Sequence, residues 1–92
     1  NAWGVIGDAT PTGWDSDTLM DFNPTTNSYS IIMKMKVGSF KFRLNHDWSN
    51  NYGDDGNNLT LDSGGTNIAI TTAGTYYITA DFTGLKYTIK QL

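Results

Sequence analysis

The chain has 92 residues, a net charge of −3 and no cysteine. A chain of this length makes one small domain that buries only about 60–70% of its unfolded surface, so its core must be well packed. The missing cysteines exclude a disulfide framework, a thiolate zinc site and a thiol nucleophile, and six unclustered basic residues argue against nucleic acid or an anionic membrane as partner.

Segments of alternating apolar and polar residues recur along the chain, separated by turn chemistry, and no helical period persists. All nine acidic residues are aspartate and threonine is abundant, which lowers helix propensity and favours strands. Alternation predicts strands over residues 2–7, 19–22, 28–36, 39–45, 58–61, 67–70, 75–82 and 85–91. In the first, Trp3 alternates with Val5 and is expected in the core. In the third, Tyr29, Ile31, Met33 and Met35 share one face, and Ile32 breaks the pattern, as a residue covered by a neighbouring loop would. Tyr76, Ile78, Ala80 and Phe82 face one side, and Leu85, Tyr87 and Ile89 alternate likewise after a short hairpin at Thr83-Gly84. Asn23 to Asn27 reads as a connecting turn and Val37-Gly38 as a tight hairpin. The fold class is all-β, an antiparallel immunoglobulin-like β-sandwich of about seven to eight strands.

Two segments stand apart from the core pattern. Trp14 lies in a stretch rich in Gly, Pro, Asp and Thr, and Trp48 and Tyr52 lie in one rich in Asn and Asp, so all three rings are expected on exposed loops. Between them, Phe40, Phe42 and Leu44 point inward, which turns Lys41 and Arg43 outward and exposes them beside the Trp48 segment. Rings pack against the C–H faces of sugars, and Lys41, Arg43 and Asn50 supply donors and acceptors for hydroxyls. The candidate ligand-binding residues are Trp14, Lys41, Trp48, Arg43, Asn50 and Tyr52.

Other chemistry finds less support. His46 adjoins Asp47, but neighbours on an extended chain point to opposite faces, and no serine is placed against them, so a surface loop histidine is expected. No pair among the scattered aspartates stands out as the two flanking carboxyls of a glycosidase. With Gly56 at the sixth position of a calcium loop, the third position is Gly53 and the twelfth Asp62, so the calcium-loop pattern fails. No enzyme activity, cofactor or metal is expected. No apolar run approaches the about 20 residues of a membrane span, so direct membrane insertion is not expected.

Taken together, residues 5–15, Phe40 to Asn45, Trp48 with Asn51-Tyr52-Gly53, and Ala73 to Ile78 resemble one repeat of the SusE/SusF family of surface lipoproteins from Bacteroidetes starch-utilisation systems. The Trp48-to-Gly53 segment is also similar to accessory modules of pullulanases, which share the immunoglobulin-like sandwich. The family resemblance implies a non-catalytic domain that binds α-glucan, starch or maltooligosaccharide, with two aromatics cradling the glucan turn and a basic residue bonding its hydroxyls. Carried over, Trp14 and Trp48 fall at the aromatic positions and Lys41 at the basic one. It further implies one domain, residues 1–92, excised from a multidomain lipoprotein at the outer-membrane cell surface, among other starch-utilisation proteins. The alternative is a structural immunoglobulin-like spacer repeat that touches no glycan.

Overall fold

The computed structural model describes residues 2–92. Its ten strands are β1 (Trp3–Ile6), β2 (Thr18–Leu19), β3 (Asp21–Asn23), β4 (Ser28–Met35), β5 (Gly38–Leu44), β6 (Asp47–Gly53), β7 (Asp62–Ser63), β8 (Ile68–Ile70), β9 (Gly74–Asp81) and β10 (Lys86–Gln91). They form two antiparallel sheets packed face to face, the small β-sandwich that alternation predicts, with ten strands in place of seven or eight. The first sheet has the order β2-β1-β5-β6-β7, with β8 also paired to β5; the second is β10-β9-β4-β3.

The core lies where the alternating residues of both sheets meet. Phe40, Phe42, Val5 and Ile78 are fully enclosed, with Met33, Met35, Tyr76 and Tyr87 around them. Ile89 is partly buried against the same cluster. Trp3 is core, its ring stacked 3.6 Å from that of Phe82. Phe42 meets Phe40 and Phe82 edge to face at 5.6 and 5.7 Å, the arrangement favoured by ring quadrupoles. Truncating such a ring to alanine costs about 3–5 kcal/mol.

Four local expectations are corrected. Residues 19–22 do not form one strand: the chain leaves the first sheet after Leu19 and enters the second at Asp21, and Met20 is buried between them. Val37-Gly38 is no hairpin, because β4 and β5 lie in different sheets and the turn carries the chain across the sandwich. Residues 58–61 contribute only a bridge from Thr60 to Lys86. Ile32 is not covered: it is 61% exposed, opposite Tyr77 on the outer face of the second sheet.

The fifth correction shapes the rest of the molecule. Residues 47–53 form strand β6 rather than a loop, because β5 leaves backbone groups to be paired and a ladder needs no particular side chain to supply partners. Asn45 and His46 join β5 to β6 as a two-residue turn with φ of 53° and 57°, the left-handed pair of a type I′ hairpin. Register then shifts: Leu44 pairs with Asp47 but Arg43 pairs with Asn51, leaving residues 48–50 as a bulge. The Asp47 carboxylate accepts from the Ser49 amide, and Asn51 Nδ2 donates to the Trp48 carbonyl at 2.7 Å, so side chains hold the bulge closed.

Candidate functional site

The outer face of the first sheet carries the candidate residues. Strand parity turns Ser39, Lys41 and Arg43 outward from β5, as expected, and the core-facing Phe40 and Phe42 fix that register. Exposure differs from expectation. Lys41 is only 9% exposed and Arg43 7%. Residues 7–17 fold back along β5, binding Ser39 at one end and Arg43 at the other, while Asp55 lies on the side of Lys41.

That segment is pinned by local chemistry. Ala9 N donates to the Ser39 carbonyl at 3.0 Å, and the Ser39 amide and hydroxyl both donate to Asp8 Oδ1. Gly7 makes the approach possible, since a Cβ there would stand 2.1 Å from the Ser39 carbonyl oxygen. Asp8 is held below the usual carboxylate range, first by the Ser39 amide, against a cost of burial, with smaller help from the Ser39 hydroxyl and the Trp14 indole. Gly13, with φ of 62°, supplies the left-handed turn that delivers Trp14.

Further along, Asp17 packs against β1. Its Cβ would lie 2.8 Å from a Cβ at Gly4, so only a glycine at that outward position leaves room for it. There the fully buried Asp17 carboxylate accepts from both Nε and Nη2 of Arg43, a bidentate ion pair. His46 Nδ1 stands 3.4 Å from Asp17 Oδ2 at the rim. Arg43 also lies beneath Trp48, its Cζ 4.7 Å from the ring centroid. A guanidinium so placed attracts the ring face and keeps it from swinging freely.

Above this base the two indoles meet. The Trp14 and Trp48 centroids are 5.9 Å apart with planes tilted by 35°, and the rings remain 40% and 47% exposed. Lys41 lies two residues from Arg43, about 6.6 Å along the strand. Among the described residues it makes no hydrogen bond and no ion pair, and burial pushes its ammonium pKa down, with the Asp55 charge opposing. An ammonium with its donors unfilled at a surface edge is ready to meet an oxygen ligand.

The fold thus brings Trp14, Trp48, Arg43 and Lys41 to one face and parts them from Tyr52. Because the bulge reverses parity after Trp48, Tyr52 turns to the core side and packs 5.6 Å from Trp3 and 5.9 Å from Phe82. Its expected place at the rim is therefore withdrawn. Asn50 is exposed at the bulge, its amide 3.4 Å from Ser49 Oγ. Asp17 was not foreseen as part of the site; Gly4, a glycine inside an alternating strand, is the readable sign that something approaches closely there.

The aspartates after β6 serve the fold. Asp54 accepts from the Tyr87 hydroxyl at 2.6 Å and from the amides of Asn58 and Leu59. Asp55 Oδ1 accepts from Thr66, and Asp62 Oδ2 from the Asp55 amide. Burial works to raise the Asp54 pKa, but the Tyr87 hydroxyl and the amides outweigh it and the net shift is downward.

In comparisons with known proteins, no family model, no curated protein and no solved structure matches the chain at a significant level.

Proposed function

We propose that this chain is a non-catalytic module that binds starch or maltooligosaccharides through Trp14 and Trp48, with Lys41 bonding sugar hydroxyls. The observation that carries the reading is the indole pair itself: two half-exposed rings 5.9 Å apart and inclined by 35°, Trp48 braced from below by Arg43. Rings inclined in this way suit a curved chain better than a flat one, and α-glucan is curved. Lys41 supports it with a donor that has no protein partner among the described residues, two residues along β5 from the arginine beneath Trp48. Arg43 acts by fixing Trp48 instead of by reaching the sugar, since Asp17 occupies its Nε and Nη2.

Together with the SusE/SusF-like segments, this favours a domain of an outer-membrane lipoprotein that holds substrate near its starch-utilisation partners. One feature favours the rival reading of a spacer repeat: the burial of Lys41 and Arg43 is also what a sheet face sealed by its own loop would show. Affinity electrophoresis through gels containing amylopectin, pullulan, dextran or no polysaccharide separates the two. Retardation by amylopectin and pullulan alone is the expected result; unaltered mobility of the folded protein in every gel assigns it to the spacer class.

A further inference from the structure

A second feature lies on the same outer face, beyond Lys41. A cleft of about 350 Å³ is lined by Asp55, Asn57, Thr66, Asn67, Ala69 and Thr71, with Asp54 and Ile68 beneath. That volume is within the about 300–1,000 Å³ of small-molecule sites. Strand pairing places it: Ser39 of β5 is opposite Ala69 of β8, so Ala69 shares the outward face of Ser39, Lys41 and Arg43. Arg43 is four steps along β5 from Ser39, about 13 Å of strand. Lys41 stands midway, and the Asp55 carboxylate is near enough to ease the burial of its ammonium.

The lining is chemically suited to hydroxyls. Among the described residues the side chains of Asn57, Asn67 and Thr71 make no hydrogen bond, and Asp55 engages only its Oδ1, leaving Oδ2 as an acceptor. Each amide both donates and accepts, as a sugar hydroxyl does. Asp55 and the net charge of −3 disfavour an anionic ligand, and Lys41, close enough to Asp55 to feel its charge, disfavours a cationic one.

We propose that a neutral saccharide chain seated on Trp14 and Trp48 continues past Lys41 into the cleft of Asp55, Asn67 and Ala69, so that the site reads chain length. This rests on the sugar-binding reading of the indole pair. Calorimetric titration with maltotriose and with maltoheptaose tests it on the parent chain and on Asn67→Ala, Ala69→Gln and Trp48→Ala, each confirmed folded by its melting transition. The parent is expected to bind maltoheptaose more tightly than maltotriose. Asn67→Ala should weaken maltoheptaose by about two- to tenfold, the loss of one net hydrogen bond, Ala69→Gln should weaken it by filling the cleft, and both should leave maltotriose unchanged. Trp48→Ala should weaken both. Equal affinity of the parent for the two sugars, or cleft variants that bind both as the parent does or lose both alike, would overturn the extension and leave the indole pair as the site. A folded parent that binds neither sugar overturns the indole reading, and the extension with it.

Discussion

Two aspartates of this small protein are buried on opposite errands, and the contrast separates what holds the fold from what shapes the surface. Asp54 turns inward, to the hydroxyl of a core tyrosine and to two loop amides, so its charge organises residues 54–59 and ties them to β10. Asp17 is as thoroughly buried, but its partner is Arg43, which in turn lies under a half-exposed indole. Removing the first should disturb stability and leave the indole pair as it is; removing the second should disturb stability and the indole pair together.

The largest effect is expected at Asp54. Asp54→Ala strands a tyrosine hydroxyl and two amides, at about 1–3 kcal/mol each where burial is complete, so a loss of about 4 kcal/mol in urea unfolding is expected, with maltotriose affinity unchanged in whatever remains folded. The Asp54–Tyr87 hydrogen bond contributes to the pH dependence at both ends, second to burial in Tyr87. The folded pKa of Asp54 lies below its unfolded value, near 3.9, so its contribution is full above about pH 4 and is lost as pH falls through the folded value. The Tyr87 pKa is raised by burial and by Asp54, so its contribution is full below about pH 10 and is lost as pH rises through the folded value. Stability measured against pH should fall at both ends in the parent, and both falls should flatten in Asp54→Ala.

Asp17→Ala comes next. It leaves a buried guanidinium unpaired, a loss of about 3 kcal/mol, and frees Trp48 from its support. Tryptophan emission should shift and maltoheptaose affinity should drop together; a shift in stability without a change in affinity would dissolve the contrast with Asp54. Trp48→Ala should cost about 2 kcal/mol of binding, on the scale of an interface hot spot, and less than about 1 kcal/mol of stability because the ring is half exposed. The smallest effect carries opposite signs. Lys41→Met should stabilise the fold by about 1 kcal/mol, by replacing a partly desolvated ammonium with an apolar side chain, while weakening sugar binding by about 1 kcal/mol.

Local alternation was enough to read the frame. Phe40, Phe42, Tyr76, Ile78 and Tyr87 are buried as their spacing requires, and Trp3 separates from the other two tryptophans by the same rule. What alternation could not supply was the bulge in β6, which depends on a backbone excursion of residues 48–50 and puts Trp48 and Tyr52 on opposite sides of the sheet. Nor does period reveal what lies over a face: Lys41 and Arg43 point outward as parity demands and are still buried, Arg43 beneath Asp17 and Trp48, which are distant from it in sequence or displaced by the bulge. Composition misled for residues 47–53, since Asn and Asp disfavour a strand only when the neighbouring ladder does not require one.

The outer strands of each sheet have a consequence for life at high local density. The first sheet ends in strands of two or three residues, β2, β7 and β8, and the second ends at β3, of three residues, and at β10, which carries Lys86 and Lys90. Short or lysine-bearing margins offer an incoming strand few free backbone groups and a charge penalty, so identical sandwiches can crowd together without adding strands to one another. Such margins keep neighbours from zipping into aggregates and leave the indole face uncovered.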